Sequence, residues 1–307
     1  MLHFVISLAG GLRLSRNGDP LGNRALVLGS GGVTGIAWMT GLLFGLQERG
    51  ADLLTADRIL GTSAGAAVGA QITSGVPLAE LFRYQTDPAL QVPELEPTAE
   101  QFNTVSHTLP SLMHIENEAE RLHAIGMLAM NADTIEEQVR RSSIAERLPS
   151  HKWPERPLEV VAVDVRSGEV QIFTCNAGVD LVDAVAASCA VPGLWPAVTV
   201  SEHRYMDGSI RSSDNTDLAL DCSSLVVISP LGEKTGHLPG GGLPAQVCQR
   251  DQAGLRTFVI EPDQAVHEAI GTDPFDIERR TPTAEAGRVQ GRALASEVAA
   301  FWSRLSA

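Results

Sequence analysis

The chain has little cysteine: Cys175, Cys189, Cys222 and Cys248 are the only four in 307 residues. None stands in a C-x-x-C pair, and none has a histidine at zinc-finger spacing. A disulfide scaffold and a structural zinc site are therefore excluded, and the four read as reduced, mostly packed thiols of an intracellular protein. Aromatic residues make up only 5% of the chain, too few for a platform on which single-stranded nucleic acid would stack. Basic residues are outnumbered, 23 Lys and Arg against 37 Asp and Glu, giving a formal net charge of −14. Such a surface repels phosphate backbones, so nucleic acid is not an expected partner, and it gives no electrostatic help toward anionic membranes. No window approaches the roughly 20 consecutive apolar residues a membrane span needs. There is no H-E-x-x-H, and Asp207, Asp214 and Asp217 in "MDGSIRSSDNTD" lack calcium-loop spacing. Neither a metal nor a cofactor is expected.

Hydrophobic residues make up 44% of the chain, with 29 Gly and 17 Pro. That composition is globular, and the length suits one large domain or two small ones. The opening stretch "MLHFVISLAGGL" has no basic residue before it and no A-x-A-like site after it. A signal peptide is therefore disfavoured, and residues 1–23 are expected to form an extra strand or a loose tail. From residue 24 to 307 the expectation is a single domain. "RALVLGS" is a short apolar run ending in glycine, which suits a strand buried on both faces. In the stretch that follows, Ile36, Met39, Leu42, Leu43 and Leu46 recur at helical spacing, and Gly50 is a plausible stop. "DRILGTS" reads as a second strand and "AGAAVGAQITSG" as a second helix. Strand–helix–strand–helix points to an α/β fold with a mainly parallel sheet. Residues 77–155 are more polar, with clustered prolines and recurring helical patterns, and read as a helical insertion or cap. "PLEVVAVDV" and "EVQIFTC" then look like a hairpin, "SLVVISP" and "LRTFVIEP" like further strands, and the chain closes with a long amphipathic helix.

Three stretches carry chemistry. Gly61-Thr62-Ser63-Ala64-Gly65 matches G-x-S-x-G between an apolar strand and a small-residue helix, the setting of a nucleophile elbow. Flanking glycines allow the tight turn, and the positive helix end favours a developing anion. The competing reading makes Ser63 an ordinary N-cap. Gly29-Ser30-Gly31-Gly32-Val33-Thr34-Gly35 also lies between a strand and a helix. Thr34 breaks a dinucleotide fingerprint, and no Gly-Lys-Ser/Thr follows to make a P-loop. What remains is a turn with consecutive exposed backbone N–H groups, as an oxyanion hole requires. Finally, Asp207-Gly208 closes a short strand from His203 to Met206.

In this order, and with Ser188, Ala190 and Pro192 forming S-x-A-x-P between the second and third, these stretches resemble the patatin-like phospholipase family of serine acyl hydrolases. The resemblance implies a three-layer fold with helices on both faces of the sheet. It implies Ser63 as nucleophile, Asp207 as its partner in a dyad, and Gly31 and Gly32 as oxyanion donors. Gly29, Gly35, Gly61, Gly65 and Gly208 would shape the turns. The implied partner is a lipid or other acyl ester, met in the cytoplasm with at most weak, transient contact at a membrane surface. Two residues depart from the family's usual pattern: Thr34 stands where Arg or Lys is common, and Ser209 stands where Gly or Ala follows Asp-Gly.

The alternative to a dyad is a Ser-Asp-His triad of the α/β-hydrolase kind. After Asp207 only His237 and His267 remain, His203 precedes it, and there is no H-G-G-G turn; the dyad is preferred. A non-catalytic member that kept the fold for binding or regulation is the third reading.

Overall fold

The computed structural model describes residues 24–219, 221–232 and 242–303. The expected tail of residues 1–23 and His237 lie outside them. Among the described residues eight strands form one sheet: β1 (Arg24–Leu28), β2 (Arg58–Thr62), β3 (Leu158–Asp164), β4 (Val170–Phe173), β5 (Val198–Val200), β6 (His203–Asp207), β7 (Ser224–Ile228) and β8 (Arg256–Ile260). Their order is β5-β6-β3-β2-β1-β7-β8, with β4 also on β3. The five strands from β3 to β8 in that order are parallel, and β4, β5 and β6 join antiparallel. The sheet is thus mixed and mostly parallel, as the alternation of strands and helices predicts.

Burial explains the central strands. Ala25 to Leu28 are all inaccessible to solvent, so both faces of β1 must be covered. The side-chain period of two divides the contacts cleanly. Leu26 and Leu28 face helices α1 (Gly32–Glu48), α2 (Ala64–Ile72) and α8 (Leu181–Ser188) in one cluster. Ala25 and Val27 join Leu60, Val161, Leu225 and Val227 on the opposite face, under Ala219 and Leu243, the latter on helix α9 (Gly242–Gln252). Three layers result.

Between α2 and β3 run α3 (Leu78–Thr86), α4 (Ala99–Asn103), α5 (Leu109–Met113), α6 (Glu118–Asn131) and α7 (Glu137–Arg147). This is the expected helical insertion. Leu109, Ile125 and Ala129 from it pack on Val163 and Met206 of the sheet. The chain then closes with α10 (Gln264–Ile270) and the long α11 (Arg280–Trp302). Helix α11 crosses α1 with backbones in near contact. A Cβ on Gly41 or Gly45 of α1 would overlap carbonyl oxygens of Ala284 or Arg288, and one on Gly287 or Gly291 of α11 would overlap those of Trp38 or Leu42. The four-residue spacing of each glycine pair puts both on one helix face. Trp38 Nε1 donates to Gln290 Oε1 at 2.7 Å, and Glu48 accepts from both Arg288 and Arg292.

The register along β3 positions the site. Strands β2 and β4 both pair with Val160 and Val161, so they occupy opposite edges of β3. Strands β4 and β6 both pair with Ala162 and Val163, so β6 lies on the β2 edge. Pairing with β2 ends at Thr62–Val161, and pairing with β6 begins at Asp207–Ala162. The C-terminal ends of β2 and β6 therefore meet, bringing together Ser63 and Asp207, 144 positions apart in the chain.

Candidate active site

Ser63 joins β2 to α2 with φ 54° and ψ −116°. A positive φ is uncommon outside glycine and persists only when surrounding structure imposes it. Here the constraints are visible. Ser188, fully buried, donates from Oγ to Val161 O at 2.6 Å and accepts from Ser63 N at 2.8 Å. Helix α2 approaches β1 so closely that a Cβ on Gly65 would overlap the Leu28 carbonyl. Ser63 holds the N-cap position of α2, yet its side chain makes no capping hydrogen bond. The N-cap reading therefore fails, and the hydroxyl is left for another use.

Asp207 ends β6 and is completely buried. Its N–H donates to Ala190 O at 3.0 Å, and its Oδ1 accepts from Ser209 N at 2.8 Å. Ser188 and Ala190 of one motif thus hold the backbones of Ser63 and Asp207 respectively. Oδ2 of Asp207 is buried with no formed hydrogen bond. Burial pushes the carboxyl up from 3.8 to about 6, and the Ser209 N–H and the nearby Ser63 hydroxyl offset part of that rise. Ser209, the departure after Asp-Gly, leaves this turn intact.

Asn215 ties the two ends together. Its φ is also positive, 51°, and its Nδ2 donates to Thr62 Oγ1 at 3.1 Å and Gly208 O at 3.2 Å. Asp214 is 1% exposed and sits beneath the glycine-rich turn, where a Cβ on Gly29 would overlap its Oδ1. Burial raises its carboxyl to about 7, with Ser229 lowering it and the charge of Glu261 raising it. By sequence alone, Asp214 and Asn215 read as ordinary turn and cap residues. Nothing local signals that they brace the site, because their partners are far away in sequence.

In the glycine-rich turn, Gly29 N donates to Ile228 O and Ser30 N to Ser213 O, both at 2.9 Å. Gly32 has φ 62°, a conformation that glycine adopts without strain. Gly35 N donates to Gly31 O at 2.8 Å and Thr34 N to Pro274 O at 3.1 Å. Among the described residues, the N–H groups of Gly31 and Gly32 have no acceptor, and neither does that of Ala64, which follows Ser63. Thr34 is buried and also donates from Oγ1 to Pro274 O at 3.3 Å. It fastens the turn to the loop before α11 and brings no charge.

A cavity of about 40 Å³ opens over Ser63, bordered by Gly32, Ala64, Cys189, Trp195 and Arg140. Gly31 lies one residue behind its wall, against Pro230. A second cavity of about 360 Å³ shares Val33, Ile36, Glu94 and Arg147 with the first and extends past Val76, Leu90 and Val92. No histidine borders either cavity among the described residues. His203 is exposed and pairs through Nδ1 with Asp164 Oδ2 at 2.8 Å. His267 lies on α10, and His237 is outside the described residues. Cys189 and Cys222 are buried while Cys175 and Cys248 are exposed, so only half of the cysteines are packed, fewer than expected. Among the described residues no cluster of metal-ligating side chains occurs, and no helix is long and apolar enough to cross a membrane.

An uncapped serine at a strained strand–helix turn of an α/β fold, a buried carboxyl beside it and backbone N–H groups without acceptors make this the candidate active site. The model of the patatin-like phospholipase family matches residues 26–220, and the chain belongs to that family, one of lipid acyl hydrolases. Among solved structures, VipD from Legionella pneumophila is 14% identical, with a TM-score of 0.44 over 91% of this chain and 67% of VipD. The type III effector protein ExoU is 17% identical, with a TM-score of 0.39 over 92% of this chain and 54% of ExoU. The chain therefore spans little more than half of the ExoU chain's length. No curated protein matches it.

Proposed function

We propose that this chain is a serine lipid acyl hydrolase in which Ser63 and Asp207 form a catalytic dyad. The observation that carries the reading is the closeness of an uncapped Ser63 hydroxyl to the fully buried carboxyl of Asp207, whose Oδ2 is unsatisfied. A hydroxyl is a weak nucleophile until a base takes its proton. A carboxylate whose basicity burial has raised to about 6 is suited to that task without a histidine between.

Ser63 Oγ attacks the ester carbonyl as its proton passes to Asp207 Oδ2. The negative charge that develops on the carbonyl oxygen is met by the N–H groups of Gly31 and Gly32 at the positive end of α1, donors already fixed and without competing acceptors. The ester C–O bond breaks, Asp207 returns its proton to the departing alcohol, and an acyl group stays on Ser63. Water, deprotonated by Asp207, then releases the acid and restores the hydroxyl. The larger cavity accommodates the acyl chain along Val33, Ile36, Val76, Leu90 and Val92.

Contact with a lipid surface would come through the helical insertion, where Leu90, Phe102, Met127, Met130 and Val139 are exposed. With four free cysteines, we place the enzyme in the cytoplasm. The test is turnover of a short-chain p-nitrophenyl ester. Ser63→Ala is expected to fall to the uncatalysed rate, and retained turnover in a clean preparation would overturn the assignment.

A further inference from the structure

Four arginines among the described residues are less than one-tenth exposed: Arg121, Arg140, Arg250 and Arg280. Three have partners for their guanidinium groups. Arg121 donates to Ile115 O, Arg250 to Ala219 O, Cys222 O and Thr257 Oγ1, and Arg280 to Glu94 and Val92 O. The guanidinium of Arg140 makes no hydrogen bond or ion pair among the described residues, and its Nε is buried without a partner. A buried cation left in that state is costly to the fold.

Its surroundings show where the charge is directed. Arg140 is on α7, in the helical insertion, and its guanidinium lies over the Trp195 ring, 3.9 Å from Cζ to the centroid. That stacking fixes the plane of the fork and leaves its edge to the cavity that Ser63 also borders. The other charges at this cavity are already used. Glu94 is shared by Arg147 and Arg280, and Asp207, fully buried and outside the cavity's lining, acts on Arg140 through its charge alone. The glycine-rich turn supplies no cation, because Thr34 is fastened to Pro274 O.

Resting on the hydrolase reading, we infer that Arg140 is a specificity-determining residue that binds a phosphodiester carried close to the ester attacked by Ser63. A guanidinium fork matches two oxygens of one phosphate. The cavity is small, so the anion must lie within a few bonds of the ester carbonyl, as it does in a glycerophospholipid or lysoglycerophospholipid. A monoacylglycerol, which lacks the phosphate, leaves Arg140 unpaired and is the poorer substrate.

The test compares lysophosphatidylcholine with the monoacylglycerol of the same acyl chain, both below their aggregation thresholds. Binding to Ser63→Ala and to Ser63→Ala/Arg140→Met is measured by calorimetry, and kcat/KM is measured with Ser63 intact. Arg140→Met is expected to lower the preference for the phospholipid at least about tenfold in both measurements, the size of one lost charge-assisted hydrogen bond. Arg140→Lys, which keeps the charge and loses the fork, is expected to fall between the two. Methionine can still pack on Trp195, so Arg140→Met is expected to melt no lower than the parent, whereas a merely structural arginine would leave a less stable protein and an unchanged preference. A preference that stays within about threefold of the parent, or losses equal for both lipids, would overturn the inference. If the phospholipid binds preferentially through Arg140 but the parent turns over neither lipid, the hydrolase reading fails and the anion site stands.

Discussion

At the scale of single residues, the site sets reactivity against stability. Asp207 is fully buried with its carboxyl raised to about 6, above its value of roughly 4 in an unfolded chain. The folded protein therefore retains a proton in a range where the unfolded chain has lost it. This contribution to stability is complete below about pH 4 and disappears as pH rises through about 6. Asp207→Asn is expected to raise unfolding stability at pH 7.5 by roughly 2–3 kcal/mol and by little at pH 4, read by urea unfolding at both values, while abolishing hydrolysis. In the parent, kcat/KM is expected to fall about tenfold per unit below pH 6 and to level off above about pH 7. A flat profile between pH 5 and 7 would remove Asp207 from the role of base. Ser188 acts by position instead. Ser188→Ala strands Ser63 N–H and Val161 O inside the protein, and is expected to cost about 1–3 kcal/mol and to lower kcat more than it changes KM.

At the scale of elements, two close approaches hold the site in place. Helix α2 lies against the end of β1 at Gly65, and α11 lies against α1 along Gly41, Gly45, Gly287 and Gly291. Helix α1 begins with the glycine-rich turn, so its seating on α11 fixes where Gly31 and Gly32 point. Gly45→Leu drives a side chain into the Arg288 carbonyl. It is expected to destabilise the protein by about 1–3 kcal/mol or more, measured as a lower urea midpoint with an unchanged slope. A midpoint equal to the parent's would mean that the two helices separate without cost. These elements were legible in part. The apolar run of β1, the helical spacing of α1 and the G-x-S-x-G turn announce themselves, since each depends on neighbours in the chain. The glycines of α11 do not, because what requires them is another helix some 240 positions away, as the Glu48–Arg288 pair also illustrates.

At the scale of the whole molecule, the topology joins what the chain separates. Strand β6 continues along the edge of β3 where β2 stops, and this antiparallel addition to a parallel sheet places Asp207 beside Ser63. The sequence motifs name both residues, but their meeting depends on a strand register that no local pattern encodes. The same holds for Asn215, which bridges Thr62 and Gly208, and for Arg140, which a helical period marks only as one more residue of α7. Residues that recur at local spacing are readable from sequence, and residues whose partners come from a distant element are not.

The central claim is that Asp207 activates Ser63 without a histidine. Covalent labelling by a fluorophosphonate, located by mass spectrometry, tests it most directly. The parent and the His237→Ala/His267→Ala double variant are expected to label on Ser63 at similar rates, and Asp207→Asn at least about a hundredfold more slowly. Rapid labelling of Asp207→Asn, or loss of labelling in the histidine variant, would contradict it.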